Sequence, residues 1–178
     1  MKKLGMIALS VLTVMTSAQM SFGNARSGSA RPGSAATGAA ASAARAAQQQ
    51  AARVRSALQN NLGPAIYSQL PQNYRNADDA ALAQMLSDAP IKARVLDAVS
   101  KVEMQAVDGL PANAKAAVTK LITMALAQVD TLSADKQEKL AKILNEIAEK
   151  NESMNLINVQ SILSANGVNL QDAADCSL

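Results

Sequence analysis

From Ser56 onward, apolar residues recur at three- and four-residue intervals. That is the period of helices buried along one face. Leu82, Met85, Leu86 and Ala89 stand at i, i+3, i+4 and i+7 and predict a helix ending near Asp88. Asn76 is placed to cap it, with Asp78 and Asp79 in the first turn, where acids complement the helix dipole. The next stripe is Ile91, Val95, Ala98, Val99, Val102 and Ala106, which predicts one helix from Pro90 to Asp108. From Ala112 to Thr131 the apolar residues Val118, Leu121, Ile122, Met124, Ala125, Leu126 and Val129 wrap more than half the circumference. This helix is expected at the centre of the fold. Ser133 is placed to cap a helix that runs to Lys150, with a clean stripe at Leu140, Ile143, Leu144 and Ile147. Its polar face sets Asp135–Lys139, Glu138–Lys142 and Glu146–Lys150 at i, i+4 with the acid first, the favourable order. Ser153–Ala165 predicts a further helix with a mixed pattern. Leu156, Val159 and Leu163 share one face, and Met154, Ile157 and Ile162 lie off it.

Glycine and proline punctuate this pattern. Gly63, Gly109 and Gly167 fall where helical stretches stop, and Pro64, Pro90 and Pro111 where they start. Proline just inside a start and glycine just past an end is the expected helix asymmetry. Pro64–Leu70 and Leu170–Ala174 are expected as short helical turns. Short connections imply antiparallel neighbours. The predicted fold class is all-α, a compact up-and-down bundle of about five helices over residues 56–178.

The pattern is different before residue 56. Leu4–Met15 is a twelve-residue apolar run behind Lys2 and Lys3, and small residues follow it at Ala18 and Ala25. A membrane span needs roughly 20 apolar residues. The segment 1–25 therefore reads as a secretory signal peptide, with cleavage after Ala18 or Ala25. Residues 26–55 form an arm rich in Ala, Gly, Ser and Arg. It opens with a quasi-repeat, Arg26-Ser-Gly-Ser-Ala then Arg31-Pro-Gly-Ser-Ala, and its only large apolar residue is Val54. Such composition supports no core of its own. After Ala39 the glycines and prolines cease, and a marginal helix is expected that enters the folded domain near Val54 and Leu58.

Charge divides the same way. The arm carries Arg26, Arg31, Arg45, Arg53 and Arg55 and no acid, whereas residues 56–178 carry ten bases and fourteen acids, a net −4. The five arginines are candidate contacts to a polyanion such as an anionic membrane or an acidic envelope polymer. Nucleic acid is disfavoured, because an exported chain seldom meets its own genome and because only Phe22, Tyr67 and Tyr74 are aromatic.

Candidate chemistry is sparse. The 178-residue chain has no His and a single Cys. A His-based triad, a His-ligated metal, a Cys zinc site and an intrachain disulfide are thereby excluded. Lone Cys176, near the end of an exported chain, is a candidate for an intermolecular disulfide. Glu103 is the one carboxylate that a helical wheel sets at the edge of an apolar sector, where burial would raise its pKa. Asn151-Glu152-Ser153 matches the N-glycosylation sequon. No phosphate loop, calcium loop, metal site, cofactor or small-molecule substrate is indicated.

The expected function is that of an exported, non-enzymatic helical protein, periplasmic or secreted. It would act as an interaction, adaptor or structural component, with another protein or a second copy as partner. Met154, Ile157 and Ile162 are the candidate partner-binding patch. Two alternatives stand beside this reading: a peripheral binder of anionic surfaces through the arm, and a carboxylate-dependent enzyme built on Glu103.

Overall fold

The computed structural model describes residues 35–175 and 178, with side chains from residue 39 onward. The expected leader, Arg26, Arg31 and Cys176 lie outside the described residues. Among the described residues the fold is all-α, with nine α-helices and no strand. Six helices have ten residues or more: α1 (Ala35–Tyr67), α3 (Asp79–Asp88), α4 (Pro90–Ser100), α6 (Ala112–Ala127), α7 (Ala134–Ala148) and α8 (Leu156–Ala165). The three others are five-residue turns at junctions: α2 (Gln72–Asn76), α5 (Met104–Asp108) and α9 (Leu170–Ala174). A 3-10 turn, Asn151–Ser153, precedes α8.

The helix α1 is longer than its composition suggests. It starts at Ala35 and runs through the compositional boundary at residues 55/56. Ala51, Val54, Leu58 and Leu62 form one buried stripe across that boundary. The first member of the stripe is an alanine, which buries little area and leaves no mark in a hydropathy pattern. Gly63 then breaks the helix with φ 73° and ψ 168°. That region of backbone space is open essentially to glycine alone. Pro64 restarts the helix, as the glycine–proline punctuation predicts.

One expected helix, Pro90–Asp108, is two. The helix α4 ends at Ser100, and α5 begins at Met104. The break is held from both sides by asparagines. Asn61 of α1 donates its Nδ2 to the Ser100 carbonyl at 2.7 Å. Asn151 donates its Nδ2 to the Lys101 carbonyl at 2.8 Å and accepts from the Glu103 N–H at 3.3 Å. These contacts satisfy the backbone groups that a helix end leaves open. Val102, between them, is fully buried.

The helix α6 lies at the centre, as its wide apolar sector predicts. Eight of its residues are buried, and α4, α5, α7, α8 and α9 all pack on it. Beside it, α4 and α7 form the most extensive helix pair. Gln137 of α7 is buried and donates its Nε2 to the carbonyls of Val129 at 2.8 Å and Leu132 at 3.0 Å. It closes the loop that follows α6. Gly167 ends α8 at φ 67°, with its N–H on the Ser164 carbonyl and the Val168 N–H on the Leu163 carbonyl. This is a Schellman cap, and its apolar pair Leu163 and Val168 is buried.

Local chemistry departs from the sequence reading at three points. Asp78, not Asn76, caps α3, accepting from the Ala81 N–H at 2.7 Å. Asn76 instead ends α2, because Tyr74 is buried and draws residues 72–76 into a turn of their own. Ser133 occupies the cap position of α7 without a side-chain hydrogen bond. The three i, i+4 pairs expected on α7 are not among the ion pairs of the described residues, and Glu138 pairs instead with Arg94 of α4 at 3.2 Å. Exposed pairs of this kind contribute little, so tertiary neighbours redirect them at small cost.

Candidate functional site

The described residues bring together only part of what the sequence nominates. Arg45 and Arg53 are exposed on α1. Arg55 is half-buried and engaged. Its Nη1 lies 2.7 Å from Asp79 Oδ1, and its Nη2 donates to the Ala77 carbonyl at 2.6 Å. Arg55 thus ties α1 to the start of α3. The arm places it one turn past Ala51, where the helix already lies against α3.

The expected apolar patch also divides. Ile157 is 73% exposed, Met154 is half-buried against the core, and Ile162 is buried. The reason is the helix phase. Ile162 stands three residues after Val159 and one before Leu163, so on α8 it borders their buried sector, whereas Ile157 lies on the far side. A lone exposed isoleucine does not make a docking patch.

Glu103 is exposed in the α4–α5 break, outside any helix face. The wheel that set it among valines assumes a continuous helix there. Asn151, the sequon residue, is half-buried, and its Nδ2 is the donor to Lys101 described above. That nitrogen is the atom a glycan would occupy.

Among the described residues, a three-membered cluster of interacting titratable groups joins α2, α4 and the turn after α6. Tyr74 Oη donates to Asp130 Oδ1 at 2.7 Å, and Lys92 Nζ donates to the same oxygen at 2.9 Å. Burial, reinforced by the hydrogen bond to Asp130 and by its charge, pushes the Tyr74 phenol well above its ordinary value. Burial also pushes the Asp130 carboxyl up. The hydrogen bonds from Lys92 and Tyr74 and the Lys92 charge outweigh that effect and hold it below the usual carboxylate range. An aspartate held ionised between two donors is a poor general base, and the arrangement reads as a lock between elements. No group of three or more His, Cys, Asp or Glu side chains among the described residues is placed to hold a metal ion.

Two open faces stand out among the described residues: the outer side of α6 along Lys115, Thr119 and Thr123, and the α1–α3 face. The helices α1 and α3 run antiparallel. Arg55 meets Asp79 at one end, and Ala43 and Ser87 share a cleft at the other. The cleft, of about 420 Å³, is lined by Ala43, Ala44, Ala47, Gln48, Ala80, Ala83, Gln84 and Ser87. A hollow of about 260 Å³ continues it along α1 beside Arg45, Gln49, Ala52 and Asp79. Alanines form the floor, and glutamines stand at the rim. From Ala39 to Gln50 every α1 residue is exposed except Ala47, which is partly buried. Sequence reasoning missed this face, because alanine reads as a helix former and not as an apolar surface. The signal available was the run of alanines with no i, i+4 ion pairs to solvate it.

Comparison of the chain with protein-family models, with curated proteins and with solved structures finds no significant match.

Proposed function

We propose that this chain is a non-enzymatic helical interaction protein, exported to the periplasm or secreted, that binds another protein through its α1–α3 face. The observation that carries the reading is the alanine-rich half of α1, a helix held out of the core along Ala39–Ala46. A helix with so few polar side chains gains little from solvent, and its small residues suit close approach of another helix. The residue types support the non-enzymatic part: no His, one Cys and carboxylates spread among lysines. Export rests on the basic, apolar and small-residue order of residues 1–25. No helix among the described residues is long and apolar enough to cross a membrane.

A photo-cross-linking residue at Ala40 of the full chain, followed by cell fractionation and N-terminal sequencing, tests the reading. The expected result is a discrete protein adduct, with a mature N-terminus at residue 19 or 26 in exported material. Chain recovered without adduct, or with Met1 intact in the cytoplasm, overturns it.

A further inference from the structure

We propose that the partner seated on the α1–α3 face is a second copy of this chain, related by a two-fold axis running along the two helices. Each α1 lies over the partner's α3. This inference rests on the interaction reading above and adds the identity of the partner.

Charge is the first argument. Among its described side chains α1 carries Arg45, Arg53 and Arg55 and no acid. The helix α3 with its cap carries Asp78, Asp79 and Asp88 and no base. Part of this charge is consumed locally, since Asp78 caps α3 and Asp79 pairs with Arg55. Arg53 is likewise exposed and in none of the ion pairs among the described residues, but it lines neither hollow; at the cleft Arg45 and Asp88 are left, exposed and outside those ion pairs. Both border the cleft. Arg45 follows Ala44 and lines the adjoining hollow, and Asp88 accepts from Gln84 of the rim at 2.8 Å.

Antiparallel geometry supplies the second argument. Asp79 is level with Arg55, so nine residues further along α3 Asp88 is level with the stretch around Arg45. A two-fold axis parallel to the hairpin exchanges its basic and acidic edges while keeping their level. Arg45 of each copy then stands over the partner's Asp88. A two-fold axis lying in the face but perpendicular to the helices would instead lay α1 over α1 and α3 over α3, basic edge on basic edge and acidic edge on acidic edge. The floor suits the same packing. Ala43, Ala44 and Ala80 leave room for two helix layers at the short end of the usual 8–10 Å separation. Gln48 and Gln84 bring amide donors and acceptors to the rim. The packing buries α1 of each copy between its own core and the partner.

The full chain, kept in reductant so that Cys176 cannot cross-link, is examined by sedimentation velocity across a concentration series. The wild type should show a concentration-dependent dimer that weakens as salt is raised. Arg45→Glu and Asp88→Lys should each weaken it about tenfold or more, and the double reversal should restore it. Ala44→Glu should weaken it by placing a charge on the floor. All three positions are exposed, so unchanged helicity by circular dichroism is expected to accompany the loss. If Ala44→Glu fails to fold, the charge-reversal pair still decides. A monomer at every concentration overturns the inference, as does a dimer indifferent to these substitutions. Either result leaves the interaction reading in place, with cross-links from Ala40 to a different protein. An intact dimer of a chain that keeps Met1 in the cytoplasm overturns the export reading alone.

Discussion

At the scale of single residues, polar side chains in this fold serve mainly to close open backbone ends and to join elements. Gln137, Asn61 and Asn151 each hold carbonyls that no helix satisfies. Tyr74 and Lys92 instead join α2 and α4 to the turn after α6 through the Asp130 carboxylate. Titration of Asp130 and Tyr74 gives stability a defined pH profile. Asp130 has a depressed pKa in the fold, so its contribution is present above the ordinary carboxylate value of about 4 and is lost as pH falls. Tyr74 has a raised pKa, so its contribution is full below about 10 and is lost as pH rises further. Urea midpoints measured across pH should therefore form a plateau that falls on both sides. Asp130→Asn should cost about 1 kcal/mol at neutral pH and flatten the acid limb. The alkaline limb should persist, because burial of Tyr74 is its largest cause. None of these partnerships is legible in the sequence. Tyr74 and Asp130 are 56 residues apart, and no local pattern links them.

At the scale of elements, stripes of large apolar residues predict helices well here, and junctions escape the pattern. The stripe of α7 and the wide sector of α6 are both found buried. The Pro90–Asp108 stripe is also buried at Val95, Val99 and Val102, yet the helix breaks inside it. Hydrophobic spacing continues across the break because a tight turn returns Val102 and Val107 to the same core. The clamp that holds the turn comes from outside the segment. Asn151→Ala should leave the Lys101 carbonyl and the Glu103 N–H without their partner, at a cost of about 1–2 kcal/mol. Hydrogen exchange should quicken at residues 101–105 and remain slow in α6. Unchanged exchange there would remove Asn151 from this role. A glycan on Asn151 would have the same effect as the alanine, so a folded chain carrying one should be the less stable form.

At the scale of the whole molecule, the described residues belong to one compact unit, Ser34–Leu178. The compositional domain boundary at residues 55/56 falls inside α1, upstream of which Ala51 and Val54 are already core. A chain beginning at Ser56 should therefore lose about 3 kcal/mol or more, from the buried area of Val54 and Ala51 and from the Arg55–Asp79 tie. For a domain of this size that corresponds to a fall in Tm of about 10 °C. A chain beginning at Ser34 should keep the melting temperature of the full protein. Equal melting of the two truncations would show that the first half of α1 is dispensable.

The all-α class, the central position of α6, the buried stripe of α7 and the helix ends marked by Gly63 and Gly167 are all legible in the chain's own pattern. Each follows from short-range physics: the helical period, the width of an apolar sector, and backbone conformations that glycine alone reaches at low cost. The absence of His and the scarcity of Cys are legible there too, and they narrow the chemistry. Long-range packing sets where α1 begins to be core, which asparagines clamp the α4–α5 break, and that Ile162 turns inward while Ile157 stays out. It also decides that Arg55 is spent on Asp79 while Arg45 and Asp88 remain at the rim of an alanine cleft. Those outcomes depend on contacts between residues far apart in the chain. An alanine, an asparagine or an arginine carries no sign in its own neighbourhood of which distant backbone or charge it will meet.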